Sequence, residues 1–118
     1  MRNNKGENVK MAITVNIYYN GKNGNARKFA EEMTASGVVD AIRKEEGNLC
    51  YAYFMPMEDE ETVLLIDRWV NQEAIDRHHH TPMMQQIIAL REKYDPRMRV
   101  ERYVDDALPE ADTQFIRK

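Results

Sequence analysis

Apolar and polar side chains alternate from Ile13 to Tyr18, with Ile13, Val15 and Ile17 on one side and Thr14, Asn16 and Tyr18 on the other. This period of two predicts a first β-strand, stopped by the turn-forming run Asn20-Gly21-Lys22-Asn23-Gly24. Ala26, Phe29, Ala30 and Met33 then recur at helical spacing, with Asn25 placed to cap the start. The apolar signal weakens at Thr34-Ala35-Ser36-Gly37, resumes with Val38, Val39 and Ile42, and ends at Gly47, which predicts one long helix kinked or briefly broken near Gly37. From Asn48 to Met55 the pattern returns to a strand, with Leu49, Tyr51 and Tyr53 facing one way and Cys50, Ala52 and Phe54 the other. Pro56 and the acidic run Glu58-Asp59-Glu60-Glu61 lead into a third strand, Thr62 to Val70, apolar on both sides through Val63, Leu64, Leu65 and Ile66. Asn71 and Thr81-Pro82 mark the starts of two further helices, and Met98, Val100 and Val104 alternate with polar residues in a last strand.

The order β-α-β-β-α-α-β is that of two β-α-β halves. It predicts an α+β, ferredoxin-like domain: a four-stranded antiparallel sheet with helices on one face. The other sheet face would be bare, so a second copy of the sheet is expected to cover it, giving a homodimer. Residues 1–10 hold too little apolar surface to offset the entropy of ordering and are expected to be a disordered tail. The folded domain is expected over residues 11–106. Residues 107–118 form a C-terminal extension whose Phe115-Ile116 pair either lies on the partner subunit or stays loose.

Composition narrows the function classes. A chain of 118 residues is one ordinary domain, and 42% hydrophobic with 31% charged residues is a globular balance. Seventeen basic against twenty acidic side chains give a formal charge of -3 with no long basic block, so nucleic acid is not an expected partner. A single cysteine, Cys50, permits no internal disulfide, and no apolar stretch reaches the roughly 18 residues of a membrane span. The polar start also lacks the apolar segment of a secretory signal. A reducing cytoplasm and no membrane are therefore expected. The eight methionines read first as core filler.

No phosphate-cradling glycine loop, dinucleotide fingerprint, nucleophile elbow or zinc spacing is present, so neither a recognisable cofactor nor a metal is expected. Polar and aromatic groups concentrate instead between Trp69 and Met84. His78-His79-His80 cannot converge on one metal, because successive helical side chains point about 100° apart. His78 shares the apolar side with Ile75 and Met83 and suits proton transfer if it faces a pocket; packing or capping is the competing role. Trp69 is either a core anchor or a substrate platform, and Asp67 on the same strand face is either an ion-pair partner or a polar pocket wall. Tyr51 and Tyr53 share a face and can hold a ring or hydrogen-bond an enolate oxygen. Asn16, polar in an apolar strand, needs a partner if buried, which makes it a pocket candidate.

Glu45-Glu46-Gly47-Asn48-Leu49 entering the second strand, Asp67-Arg68-Trp69, Asn71-Gln72-Glu73-Ala74-Ile75 followed by His78, and Thr81-Pro82 together resemble the antibiotic biosynthesis monooxygenase domain family, over roughly Met11 to Pro109. The resemblance implies a dimeric α+β barrel and oxygenation of quinol-like or aromatic molecules without metal or flavin, in which a substrate anion reduces O2 directly. On that scheme His78 handles the proton, Trp69, Tyr51, Tyr53, Asp67 and Met83 shape the substrate cavity, and Asn16 donates to the substrate oxyanion. The same resemblance extends to an isomerase of a phosphorylated signalling dione. There, however, Met83 stands where some such members have a second histidine, and Val38 and Val39 make the region more apolar, which favours a ring over a phosphate. Haem-degrading relatives need an axial histidine where this chain has Ile87, Ile88 and Leu90. A non-catalytic dimer holding a small hydrophobic ligand is the alternative of a different class.

Overall fold

The computed structural model describes residues 11–118. The expected tail of residues 1–10 lies outside the described residues. The elements are β1 (Ile13–Asn20), α1 (Asn25–Ala35), α2 (Val38–Arg43), β2 (Asn48–Phe54), β3 (Thr62–Trp69), α3 (Gln72–His79), α4 (Met83–Tyr94) and β4 (Arg97–Val104), followed by a 3-10 turn at Glu110–Phe115. The strands form one antiparallel sheet in the order β2-β3-β1-β4, and helices cover one face: the α+β ferredoxin-like arrangement that the pattern predicts. No helix among the described residues is long and apolar enough to cross a membrane.

The period of two sorts the sheet into its faces. Ile13, Val15, Ile17 and Tyr19 of β1 share the helix side with Val63, Leu65, Asp67 and Trp69 of β3 and Tyr51 and Tyr53 of β2, as the registers Ile17↔Leu65 and Tyr51↔Asp67 require. Phe29, Met33, Val39, Ile42, Ile75 and Ile87 close over them from the helices. The opposite face carries Thr14, Asn16 and Tyr18 with Leu64, Ile66, Ala52 and Phe54.

The helical stretch breaks at Gly37, as the pattern predicts: Gly37 takes a left-handed conformation at φ 90° and restarts the chain as the N-cap of α2. Two local readings need correction. Asn25 does not cap α1: Gly24 holds that position, and the carboxylate of Glu61 accepts from the amides of Asn23 at 3.2 Å and Gly24 at 2.9 Å. An acidic residue of the β2–β3 loop thus satisfies the helix start from across the fold, where its charge also suits the helix dipole. Leu49 does not join Tyr51 in the core; a β-bulge between Asn48 and Cys50 shifts the register, and Leu49 is exposed. Asn71, by contrast, caps α3 as predicted, accepting from Ala74 N at 2.9 Å.

Candidate functional site

Strand alternation brings Tyr51, Asp67 and Trp69 to the helix side of neighbouring strands. The Trp69 indole N–H donates to Asp67 Oδ1. Asn71 starts α3 so that His78 falls on its buried side with Ala74 and Ile75, leaving His79 and His80 exposed. The His78 ring lies 4.9 Å from the Trp69 ring and meets Tyr51 edge-on at 6.5 Å. Its Nδ1 is 2.8 Å from Glu45 Oε2, a carboxylate from the α2–β2 connection. That partner assigns the proton to Nδ1 in the neutral ring and leaves Nε2 as the acceptor. Gly47, at φ 89°, lets this connection pass under α3, and its carbonyl accepts from Val70 N at 2.9 Å.

The group is nearly dry: Trp69 is 1%, His78 4% and Asp67 8% exposed. Burial raises the Asp67 carboxyl to about 6, against the opposing effects of the Trp69 hydrogen bond and the nearby His78. A carboxyl of that strength exchanges protons near neutral pH. Burial also raises the phenols of Tyr19, Tyr51 and Tyr53, and the Asp67 charge adds to the effect in all three. These hydroxyls therefore remain donors at neutral pH. Arg91 of α4 reaches in beside them and donates from Nη2 to Tyr19 Oη at 3.2 Å.

The structure gathers His78, Trp69, Tyr51 and Asp67, with Tyr53 next to Tyr51 at a ring separation of 6.0 Å. It does not bring Asn16 to them. Asn16 pairs with Ile66 and Glu101 and points to the bare sheet face, where its buried Oδ1 finds no partner among the described residues. The alternation that puts Val15 and Ile17 under the helices turns Asn16 away, so Asn16 and His78 of one subunit stand on opposite faces of the sheet. Met83 packs on the edge of the core and lines a small groove of about 140 Å³ beside Gly37 and Ala41. His80 turns its Nδ1 to the Asp76 backbone carbonyl at 2.7 Å and not to its carboxylate.

Pattern reading missed three residues. Glu45 appeared in it only as part of a motif. Tyr19 continues the Ile13-Val15-Ile17 series by one more step, and Arg91 follows Ile87 at i+4; a polar group extending an apolar face was the signal available for both.

A cavity of about 430 Å³ opens between α1 and the β2 side of the sheet, lined among others by Ala30, Thr34, Ala35, Tyr53, Phe54 and Val63. Its size and apolar walls suit a small organic molecule. His78, Trp69, Tyr51 and Asp67 do not line it; Tyr53 lines it and adjoins Tyr51 of the buried group.

Against known proteins, residues 12–90 match the family model described as antibiotic biosynthesis monooxygenase. YcnE of Bacillus subtilis (strain 168), whose name places it provisionally among the monooxygenases, is 29% identical over 77 residues, 65% of this chain and 79% of that protein. The crystal structure of PA3566 from Pseudomonas aeruginosa superposes with a TM-score of 0.71 at 20% identity, over 84% of this chain and 98% of that one. A point mutant of SnoaB, a cofactor-independent oxygenase from Streptomyces nogalater, gives 0.64 at 12% identity over 84% and 98%. At such identities the two structures speak for the fold, while the family model covers more than half of the sequence itself. The chain belongs to the antibiotic biosynthesis monooxygenase family.

Proposed function

We propose that this protein oxygenates a small electron-rich aromatic, such as a hydroquinone, without a cofactor. The observation that carries this reading is the dry Asp67–Trp69–His78–Glu45 group, in which a carboxyl with a pKa of about 6 and an imidazole stand one aromatic neighbour, Tyr51, away from the cavity residue Tyr53. The substrate lies in the cavity and its acidic proton passes inward toward Asp67 and His78. The anion left behind is electron-rich enough to reduce O2. One oxygen atom joins the substrate, the other leaves as water with two hydrogens taken from it, and the substrate supplies all the electrons. Exclusion of water strengthens each electrostatic contact to the anion.

The test is oxygen consumption by metal-stripped protein with a panel of hydroquinones, beside a His78→Gln control. We expect one O2 per substrate oxidised and a fall of about a hundredfold in the variant, the lower range for loss of a positioned proton carrier. Absence of uptake, or uptake indifferent to His78→Gln, rules the reading out.

We further propose that two copies pair through the bare sheet face. Tyr18, Leu64 and Ile66 are half-buried there and Phe54 is exposed, with no helix over them. Sedimentation velocity is expected to show a dimer, and Ile66→Glu to show a folded monomer, since a charge in the centre of an apolar interface has no partner. A monomeric parent protein overturns this.

A further inference from the structure

We propose that Asn23-Gly24, at the start of α1, is a site of spontaneous backbone modification: the pair closes to a succinimide and opens to aspartate or isoaspartate, at a rate that the Glu61 carboxylate holds down. This inference is independent of the oxygenase reading.

The chain has two Asn-Gly pairs, Asn20-Gly21 and Asn23-Gly24, and both lie where β1 turns into α1. The turn needs the second pair for its conformation, since Asn23 at φ 57° and Gly24 at φ 76° are successive left-handed residues. Such a pair also carries an intramolecular chemistry. With no side chain on the glycine, its backbone nitrogen has an open approach to the asparagine Cγ. A bond forms from Gly24 N to Asn23 Cγ as the bond from Cγ to Nδ2 breaks; the Gly24 amide gives up its proton and ammonia leaves. Water then adds to either carbonyl of the ring. The product is aspartate, or isoaspartate with the chain running through the former side chain, and no oxidant or reductant takes part.

The two pairs are held differently. Gly21 N donates to the Glu61 backbone carbonyl at 2.9 Å, and the Asn20 side-chain amide donates to Thr62 Oγ1 at 3.0 Å, so attacking and attacked groups are both tied into the end of the β1–β3 ladder. Asn23 is exposed, and its side-chain amide has no partner among the described residues. What restrains Gly24 N is a side chain: Glu61 Oε1 at 2.9 Å, while Oε2 of the same carboxylate takes Asn23 N at 3.2 Å. A nitrogen engaged in that hydrogen bond must leave it before it can attack. A groove of about 330 Å³ bounded by Asn23, Gly24, Arg27 and Glu61 admits the water that opens the ring.

Modification undoes the arrangement that restrains it. A carboxylate at position 23 stands beside that of Glu61 and repels it, and isoaspartate adds a methylene to the backbone that moves Gly24 N off Oε1. Either way the start of α1 loses the acceptor that satisfies its amides. Because α1 supplies Arg27, Ala30, Thr34 and Ala35 to the cavity wall, the change reaches the cavity through the helix.

The experiment incubates the full chain at body temperature and mildly alkaline pH and follows its peptides by mass spectrometry, where exchange of an amide for an acid adds about one dalton. Electron-transfer fragmentation separates aspartate from isoaspartate. We expect the gain at Asn23, with Asn20 slower by about tenfold or more because opening there must break the end of the sheet. Glu61→Ala should speed the reaction at Asn23 about tenfold, the factor for one hydrogen bond to a charged group, and leave Asn20 unchanged, since a backbone carbonyl restrains Gly21. Glu61→Gln, which keeps one accepting oxygen, should fall between the parent and Glu61→Ala, and it supplies the test if the alanine variant does not fold. In the aged parent the Lys28 amide, which donates to Gly24 O at 2.9 Å, should exchange with deuterium about tenfold faster than in fresh protein. The inference is overturned by no added dalton at Asn23, by equal rates at Asn20 and Asn23, by a rate at Asn23 indifferent to both Glu61 variants, by acceleration at both asparagines alike, or by unchanged exchange at Lys28.

Discussion

Asp67→Asn is expected to make the protein more stable at neutral pH and at least a hundredfold less active. Burial raises the Asp67 carboxyl from 3.8 to about 6. A carboxyl whose folded pKa lies above its unfolded one binds its proton more tightly in the folded state. Its contribution is therefore fully present below about pH 4 and is lost as the pH rises through about 6. Above that, the ionised group is a burden of about 3 kcal/mol, at about 1.4 kcal/mol for each pH unit between the two values. The asparagine Oδ1 still accepts from the Trp69 indole and carries no charge. After allowance for burying an amide, we expect a gain of about 1–2 kcal/mol at pH 7.5. Urea midpoints followed by circular dichroism at pH 4, 5, 6 and 7 should fall with pH in the parent and stay level in the variant. Equal slopes in the two proteins would remove Asp67 as the titrating group. The loss of activity follows from the same change, since an amide accepts no proton, and falls in the range for removal of a general base. A buried carboxylate kept at the expense of stability is a common mark of a functional site.

Gly47→Ala is expected to cost about 2–5 kcal/mol and to disable the site from outside it. An added Cβ would stand 2.6 Å from Ala74 Cβ and 3.0 Å from Val70 Cγ2, both in packed elements that cannot yield separately. The left-handed conformation adds about 1–2 kcal/mol to an overpacking cost of about 1–3 kcal/mol. Gly37→Ala separates the two contributions, because it has the same handedness at φ 90° but open space around the new methyl. It should lose only the backbone part. Urea denaturation of the three proteins gives both numbers, and similar losses at positions 37 and 47 would show that the contact with Ala74 is not decisive. In Gly47→Ala the displaced connection also carries Glu45 away from His78, so the His78 ring resonances in an NMR spectrum at fixed pH should shift along with stability.

Most of the fold was legible because strands and helices repeat on different periods. Ile13, Val15 and Ile17 could belong only to a half-buried strand, and His78 could be separated from His79 and His80 by helical angle alone. The same periodicity already contained the placement of Asn16, since a residue between Val15 and Ile17 must face away from the helices. Its role as oxyanion donor rests on residue type and on the family resemblance, and the strand geometry sets it on the sheet face opposite His78. Other parts of the site were out of reach. Glu45 meets His78 across 33 residues of chain, and Glu61 caps α1 from the far side of a hairpin. Such contacts depend on how the sheet is ordered, and no local pattern encodes them. The bulge at Leu49 is of the same kind: one extra residue, invisible in composition, decides which side chains of β2 reach Asp67.

Trp69 is the only indole in the chain, and its N–H is held by a carboxyl that titrates near neutrality, with a histidine ring alongside. The protein therefore contains its own optical probe. Excited apart from the six tyrosines, its emission is expected to follow the proton on Asp67, so a titration of indole emission reads the ionisation of the site in the parent or in any variant that keeps Trp69, before a substrate has been identified.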